Sequence, residues 1–272
     1  MDKKTIIKYL IPYFSYFLII SIIQKNITFE NLLLFLYGGR AYPGVYWFIP
    51  CMLITLIVAN FLINNINKKS IILILVVFYL IAHIESVFYL PHDTNYLEWA
   101  INYKIPLNID VCLMSTVYFF IGYYLKDIIY KVSNNKSFIL YGCIAIICGL
   151  LVYLNIAEIF IYKLDMKLGH YHNLIFDILV PCLFGLLIVL TCKYISLLND
   201  KVVNTFRFIG KNTLPIMYLH IPINGALQDK LGYNFVGYII ISIIIPLVFI
   251  SVCYRNKYLH FFFIGKIKDY SK

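Results

Sequence analysis

The feature that most limits this chain is a series of long apolar runs joined by short polar links. Eight runs can be marked, at 5–23, 46–63, 70–90, 107–125, 137–154, 173–192, 212–227 and 235–254. A helical run of about 20 residues matches the roughly 30 Å hydrocarbon thickness of a bilayer. Backbone polar groups in hydrocarbon must be satisfied within their own segment, so each run is expected as a helix. With 62% hydrophobic and 13% charged residues, the chain lies far from the composition of a soluble domain. The expected fold is all-α: a polytopic integral membrane protein of about eight transmembrane helices, forming one domain over 1–272.

Net charge is +10, from 23 Lys and Arg against 13 Asp and Glu. A basic balance can indicate nucleic acid, but these cations occupy the links between apolar runs, where topology explains them. Only Lys25, Arg40, Lys104, Lys163, Lys167 and Lys230 fall in one alternate set of links. The others fall at the start, in the opposite links and in the tail, so the positive-inside rule places both termini in the cytoplasm. A multi-pass protein of the plasma membrane is expected, with the lipid bilayer as partner and no nucleic acid. The basic stretch Met1–Lys8 followed by apolar residues imitates a signal peptide, yet no small-residue cleavage site follows Ile23, and an uncleaved span is expected. The tail 258–272 mixes phenylalanines with lysines and reads as an interfacial segment on the inner leaflet.

Several chemistries are missing from the sequence. Cys51, Cys112, Cys143, Cys148, Cys182, Cys192 and Cys253 lie in or beside apolar runs without C-x-x-C or ligand-like spacing. They read as small buried hydrophobes rather than disulfide or zinc positions. No nucleotide-binding loop, H-E-x-x-H, G-x-S-x-G or acidic metal motif occurs. A primary pump and a membrane metalloprotease are disfavoured. A transporter or flippase, a transferase with a histidine base and a structural subunit are left.

The sharpest polar signal is the stretch 208–222, FIGKNTLPIMYLHIP. Asn212 is placed as an N-cap, with Pro215 in the first turn, where its missing N–H costs nothing. His220 follows roughly 12 Å along that helix, deep in the hydrocarbon. A titratable ring at such depth points to function. His83 and Glu85 close the third run, Asp110 opens the fourth and Asp177 opens the sixth. A shared wet interior in the outer half of the membrane is expected to hold these groups, with Arg40, Tyr42 and Trp47 on its outer side. Each also has a plainer reading. His220 could be a packing residue, His83 and Glu85 interfacial side chains, Asp110 a helix cap and Asp177 a structural hydrogen-bond acceptor. His170 and His172 have metal-compatible spacing but no third ligand nearby, so a solvated turn is the better reading and no metal is expected.

Four short stretches, in order along the chain, resemble one family. They are Tyr9-Leu-Ile-Pro12-Tyr13, Gly44-Val-Tyr-Trp47-Phe48-Ile49, Phe119-Phe-Ile-Gly122-Tyr123 and Phe208-Ile-Gly210-Lys-Asn212-Thr213-Leu-Pro-Ile-Met-Tyr218-Leu-His220. They are similar to motifs of the acyltransferase 3 family, membrane proteins that O-acetylate cell-surface sugars. The resemblance implies a membrane O-acyltransferase, in the family's usual form an O-acetyltransferase. Its donor would be acetyl-CoA or another acyl-CoA on the cytoplasmic side, and its acceptor a hydroxyl of a cell-surface or exported carbohydrate.

Family members usually have ten spans, the first bearing a basic residue and a histidine taken as catalytic. This chain resembles them from their third span onward and has no match for that histidine. The resemblance therefore leaves room for a fragment, a misplaced start, or a non-catalytic relative acting in polysaccharide export. If the base belongs to the missing span, His220 lines the site. Within this chain His220 is the candidate catalytic residue, and Arg40, Trp47, His83, Glu85, Asp110 and Asp177 are candidates for substrate binding.

Overall fold

The computed structural model describes residues 3–24, 27–40, 45–89, 105–134 and 138–265. Among these residues the regular structure is helical. The elements are α1 (Lys3–Ile23), α2 (Phe29–Leu36), α3 (Phe48–Asn65), α4 (Lys68–Phe88), α5 (Ile109–Asn134), α6 (Phe138–Ile156), α7 (Phe176–Ile195), α8 (Asp200–Lys211), α9 (Thr213–Leu231), α10 (Phe235–Cys253) and α11 (Lys257–Ile264). Among the described residues seven helices are long and apolar enough to cross a membrane: α1, α3, α4, α5, α6, α7 and α10. The remaining expected run, 212–227, is present as α9, 19 residues long. His220, Asn224, Gln228 and Lys230 leave it less apolar than the other seven.

The chain packs as two compact units. The first comprises Met1–Ile57, Ala100–Asn108 and Asn204–Lys272. Its core is aromatic, with Tyr13, Tyr16 and Phe17 of α1 against Phe35, Tyr46, Tyr218 and Phe263. Phe17 stacks on Phe35 at 3.8 Å, and Tyr16 on Tyr218 at 4.8 Å. Two buried phenols of α1 find backbone acceptors. Tyr13 donates to the Phe35 carbonyl at 3.2 Å and Tyr16 to the Phe263 carbonyl at 3.3 Å. The start of the tail therefore differs from the interfacial segment expected for it: in α11, His260 and Phe263 are buried. Gly265 ends α11 at φ 73°, and a Cβ there would collide with the Lys8 carbonyl. Only glycine meets both demands.

A backbone clasp completes this unit. Leu107 and Asn108 both adopt left-handed backbone, at φ 56° and 58°, which costs a residue with a Cβ about 1–2 kcal/mol. The Leu107 N–H donates to the Tyr37 carbonyl at 2.7 Å. Asn108 Nδ2 donates to the carbonyls of Gly38 (2.9 Å) and Trp47 (3.0 Å). These bonds hold the strained pair in place.

The second unit comprises Val58–Trp99 and Ile109–Val203. The buried face of α4 is Ile71, Tyr79, Ala82, His83 and Ser86, spaced as one helical stripe. Its apolar members pack with Met114, Val117 and Phe120 of α5 and with Tyr171. Ile144 and Cys148 of α6 meet Leu190 of α7.

Candidate functional site

In the second unit, residues far apart in sequence converge on one buried pair. The α4 stripe carries Tyr79, His83 and Ser86, and the first turn of α7 carries Asp177. His83 Nε2 lies 3.0 Å from Asp177 Oδ2, with His83 6% exposed and Asp177 fully buried. His83 Nδ1 lies 2.9 Å from the Tyr79 carbonyl oxygen. Both ring nitrogens thus face oxygen atoms of the protein. Asp177 Oδ2 also accepts the backbone N–H groups of His172 and Asn173, each at 3.0 Å. The pair is closed: neither His83 nitrogen remains for a substrate.

Partners that the sequence did not single out surround it. Tyr79 donates its hydroxyl to the Leu174 carbonyl at 2.6 Å, and Tyr118 donates to the Asp177 carbonyl. Ser86 donates to the Tyr171 carbonyl at 2.9 Å and accepts the Tyr171 N–H at 2.6 Å. Burial, and then the Asp177 carboxylate, push the Tyr162 phenol far above its ordinary value. Together these contacts pin α4, α5 and the 157–175 loop to the start of α7. Glu85 is half-buried, so only His83 of that pair reaches the interior. Asp110 is buried in the first turn of α5. His170 forms a backbone bridge with Asp165. Among the described residues no group of three potential metal ligands occurs.

Arg40, Trp47 and His220 belong to the first unit. Arg40 is buried and Trp47 half-buried; Tyr42 and Gly44 lie outside the described residues. α8 ends at Lys211 and α9 begins at Thr213, leaving Asn212 alone as the joint. Asn212 occupies the N-cap position expected for it, but at φ −115°, ψ 25° its side chain makes no capping bond. A capping side chain needs an extended backbone. Asn212 instead donates to the Phe208 carbonyl at 2.8 Å and accepts from the Tyr254 hydroxyl at 3.2 Å.

His220 stands half-buried on α9. Its Nδ1 lies 2.8 Å from the Met217 carbonyl and 3.1 Å from that of Ile216. Those carbonyls accept, so Nδ1 carries the hydrogen and the lone pair of the neutral ring lies on Nε2. Nε2 has no hydrogen-bond partner among the described residues. A nitrogen fixed as an acceptor and left open is what proton abstraction requires.

The family model of the acyltransferase domain, acyltransferase 3, matches residues 3–255. The chain belongs to the acyltransferase 3 family. No curated protein and no solved structure matches it. For an acyltransferase 3 protein, use of an acyl donor follows from the family. The chemical question is then which side chain can handle the acceptor's proton. Between His83 and His220, only His220 has a nitrogen available.

Proposed function

We propose that this acyltransferase 3 protein transfers an acyl group, acetyl in the simplest case, from cytoplasmic acyl-CoA to a hydroxyl of a surface or exported carbohydrate. His220 serves as the base. The observation that carries this reading is its open Nε2 beside a bonded Nδ1. Nε2 takes the hydroxyl proton as the acceptor oxygen attacks the thioester carbonyl. The carbon–sulfur bond then breaks, and the proton passes to the departing CoA sulfur. Positioned proton transfer of this kind contributes roughly 10²–10⁴-fold. Arg40 and Trp47, in the same unit, offer a cation and an indole suited to a polar substrate. Within the second unit Glu85 and Asp110 remain candidates for carbohydrate binding, whereas His83 and Asp177 serve the framework. With α9 counted as a span the number is even, which supports both termini on one side of the membrane; the lysine bias makes that side cytoplasmic, and reporter fusions at each end check that orientation.

The test is transfer of labelled acetyl from acetyl-CoA to surface polysaccharide by membranes containing this chain. His220→Ala is expected to lower transfer by about 10²-fold or more, with the variant inserted and accumulated as before. Unchanged transfer removes His220 from the chemistry. No transfer by the unaltered chain favours the export-subunit reading.

A further inference from the structure

α9 runs through Pro222-Ile223-Asn224-Gly225, a sequence poorly suited to a helix interior. Pro222 has no N–H for the Tyr218 carbonyl, and proline and glycine are the two weakest helix formers. The helix nevertheless continues from Thr213 to Leu231. At the weak point sits Asn224, 1% exposed. Its Nδ2 donates to the His220 carbonyl at 2.7 Å and to the Ser242 hydroxyl of α10 at 2.8 Å. Its Oδ1 accepts the Tyr233 hydroxyl at 2.7 Å. A single amide thus uses two donor hydrogens and an acceptor at one buried point, a combination no carboxylate or hydroxyl supplies.

These bonds lie on the opposite side of Pro222 from the ring contacts of His220. Upstream, Nδ1 is tied to the Met217 and Ile216 carbonyls. Downstream, the backbone of His220 is tied through Asn224 to α10 and to the turn after α9. Without the second tie, the helix is free to hinge at the missing bond, and the ring moves with it. We infer that Asn224 is a positioning residue for His220: it bridges the proline break and sets the direction in which Nε2 points. The catalytic consequence rests on the proposed role of His220, but the placement of the ring does not.

The experiment uses the full chain in membranes and two readouts. The first is the rate at which diethyl pyrocarbonate modifies His220, followed by mass spectrometry of its peptide, with exposed His172 as internal reference. Asn224→Asp keeps the shape and the acceptor but removes both donor hydrogens. It is expected to raise the His220 rate at least threefold and leave the His172 rate unchanged. Ser242→Ala removes one partner only and is expected to shift the His220 rate in the same direction by a smaller factor. The second readout is acyl transfer, where Asn224→Asp is expected to lower kcat about tenfold with KM for acyl-CoA unchanged.

An unaltered His220 rate in Asn224→Asp overturns the inference, whatever happens to activity. So does an unaltered rate in Ser242→Ala if Asn224→Asp fails to accumulate. A chain without measurable transfer, but with the expected change in modification, overturns the catalytic reading and leaves the positioning role standing.

Discussion

Each unit carries a histidine on a long helix, and the two are held in opposite ways. In the second unit, both nitrogens of His83 are engaged, one by Tyr79 and one by Asp177. In the first, His220 has one nitrogen tied to its own helix and one open. The same side chain therefore does different physical work. A closed histidine beside a buried carboxylate fastens helices together, and removing either partner leaves a polar group stranded. An open one adds little to stability but keeps a lone pair available. Burial and perturbing neighbours alone would have ranked His83 first; hydrogen-bond accounting reverses that order.

The comparison breaks most visibly if the closed pair proves dispensable. His83→Ala, which strands Asp177, is expected to cost about 3–5 kcal/mol, read as a large fall in the thermal midpoint of the solubilised protein. A midpoint equal to that of the unaltered chain ends its structural role. His83→Gln combined with Asp177→Asn keeps a hydrogen bond without charge and is expected to lose less than His83→Ala. The clasp of the first unit comes next. Asn108→Ala leaves the Gly38 and Trp47 carbonyls without their amide, an expected loss of about 1–3 kcal/mol in the same measurement.

Smaller effects sharpen the contrast. His220→Ala is expected to change stability by less than about 1 kcal/mol, as for a site outside any buried network. A loss matching His83→Ala would make His220 a packing residue after all. Tyr162→Phe tests the surroundings of the closed pair through pH. Burial raises this phenol above its ordinary value of 10.0, so the folded protein resists its ionisation. The stability linked to it is complete below the unfolded value and is lost as pH rises beyond about 10. The phenylalanine variant is therefore expected to lose less stability between neutral and strongly alkaline pH than the unaltered chain. Identical alkaline curves would contradict this.

Much of the fold could be read from hydropathy, because hydrocarbon imposes a length and a composition on every span. The run expected at 5–23 is the apolar part of α1, and those at 173–192 and 235–254 approximate α7 and α10. The run at 212–227 is likewise a helix, α9, although its polar residues leave it out of the seven apolar enough to span. The family motifs were legible as short strings in the right order. The pairing of His83 with Asp177 was not, since 94 residues separate them and periodicity places a residue on a face without naming its partner. Asn224 gave no signal at all: a lone asparagine in an apolar helix looks the same whether its amide is satisfied by one neighbour or by three. Asn212 was legible in position but not in use, because the turn it makes is too tight for capping.

The bond from Tyr16 to the Phe263 carbonyl spans 247 positions of the chain, and that separation has a consequence for biogenesis. The first unit is assembled from both ends of the polypeptide, while the second is drawn from two intervening stretches. A ribosome delivers residues in order, and domains assemble as their parts emerge. All of the second unit's segments leave the ribosome before α9, α10 and α11 exist. α1 must therefore wait in the bilayer, its Tyr16 phenol without its final acceptor, until translation is almost finished. A chaperone or insertase that shelters this helix would act throughout that interval, and a stop codon placed before Phe263 would leave the wait without an end.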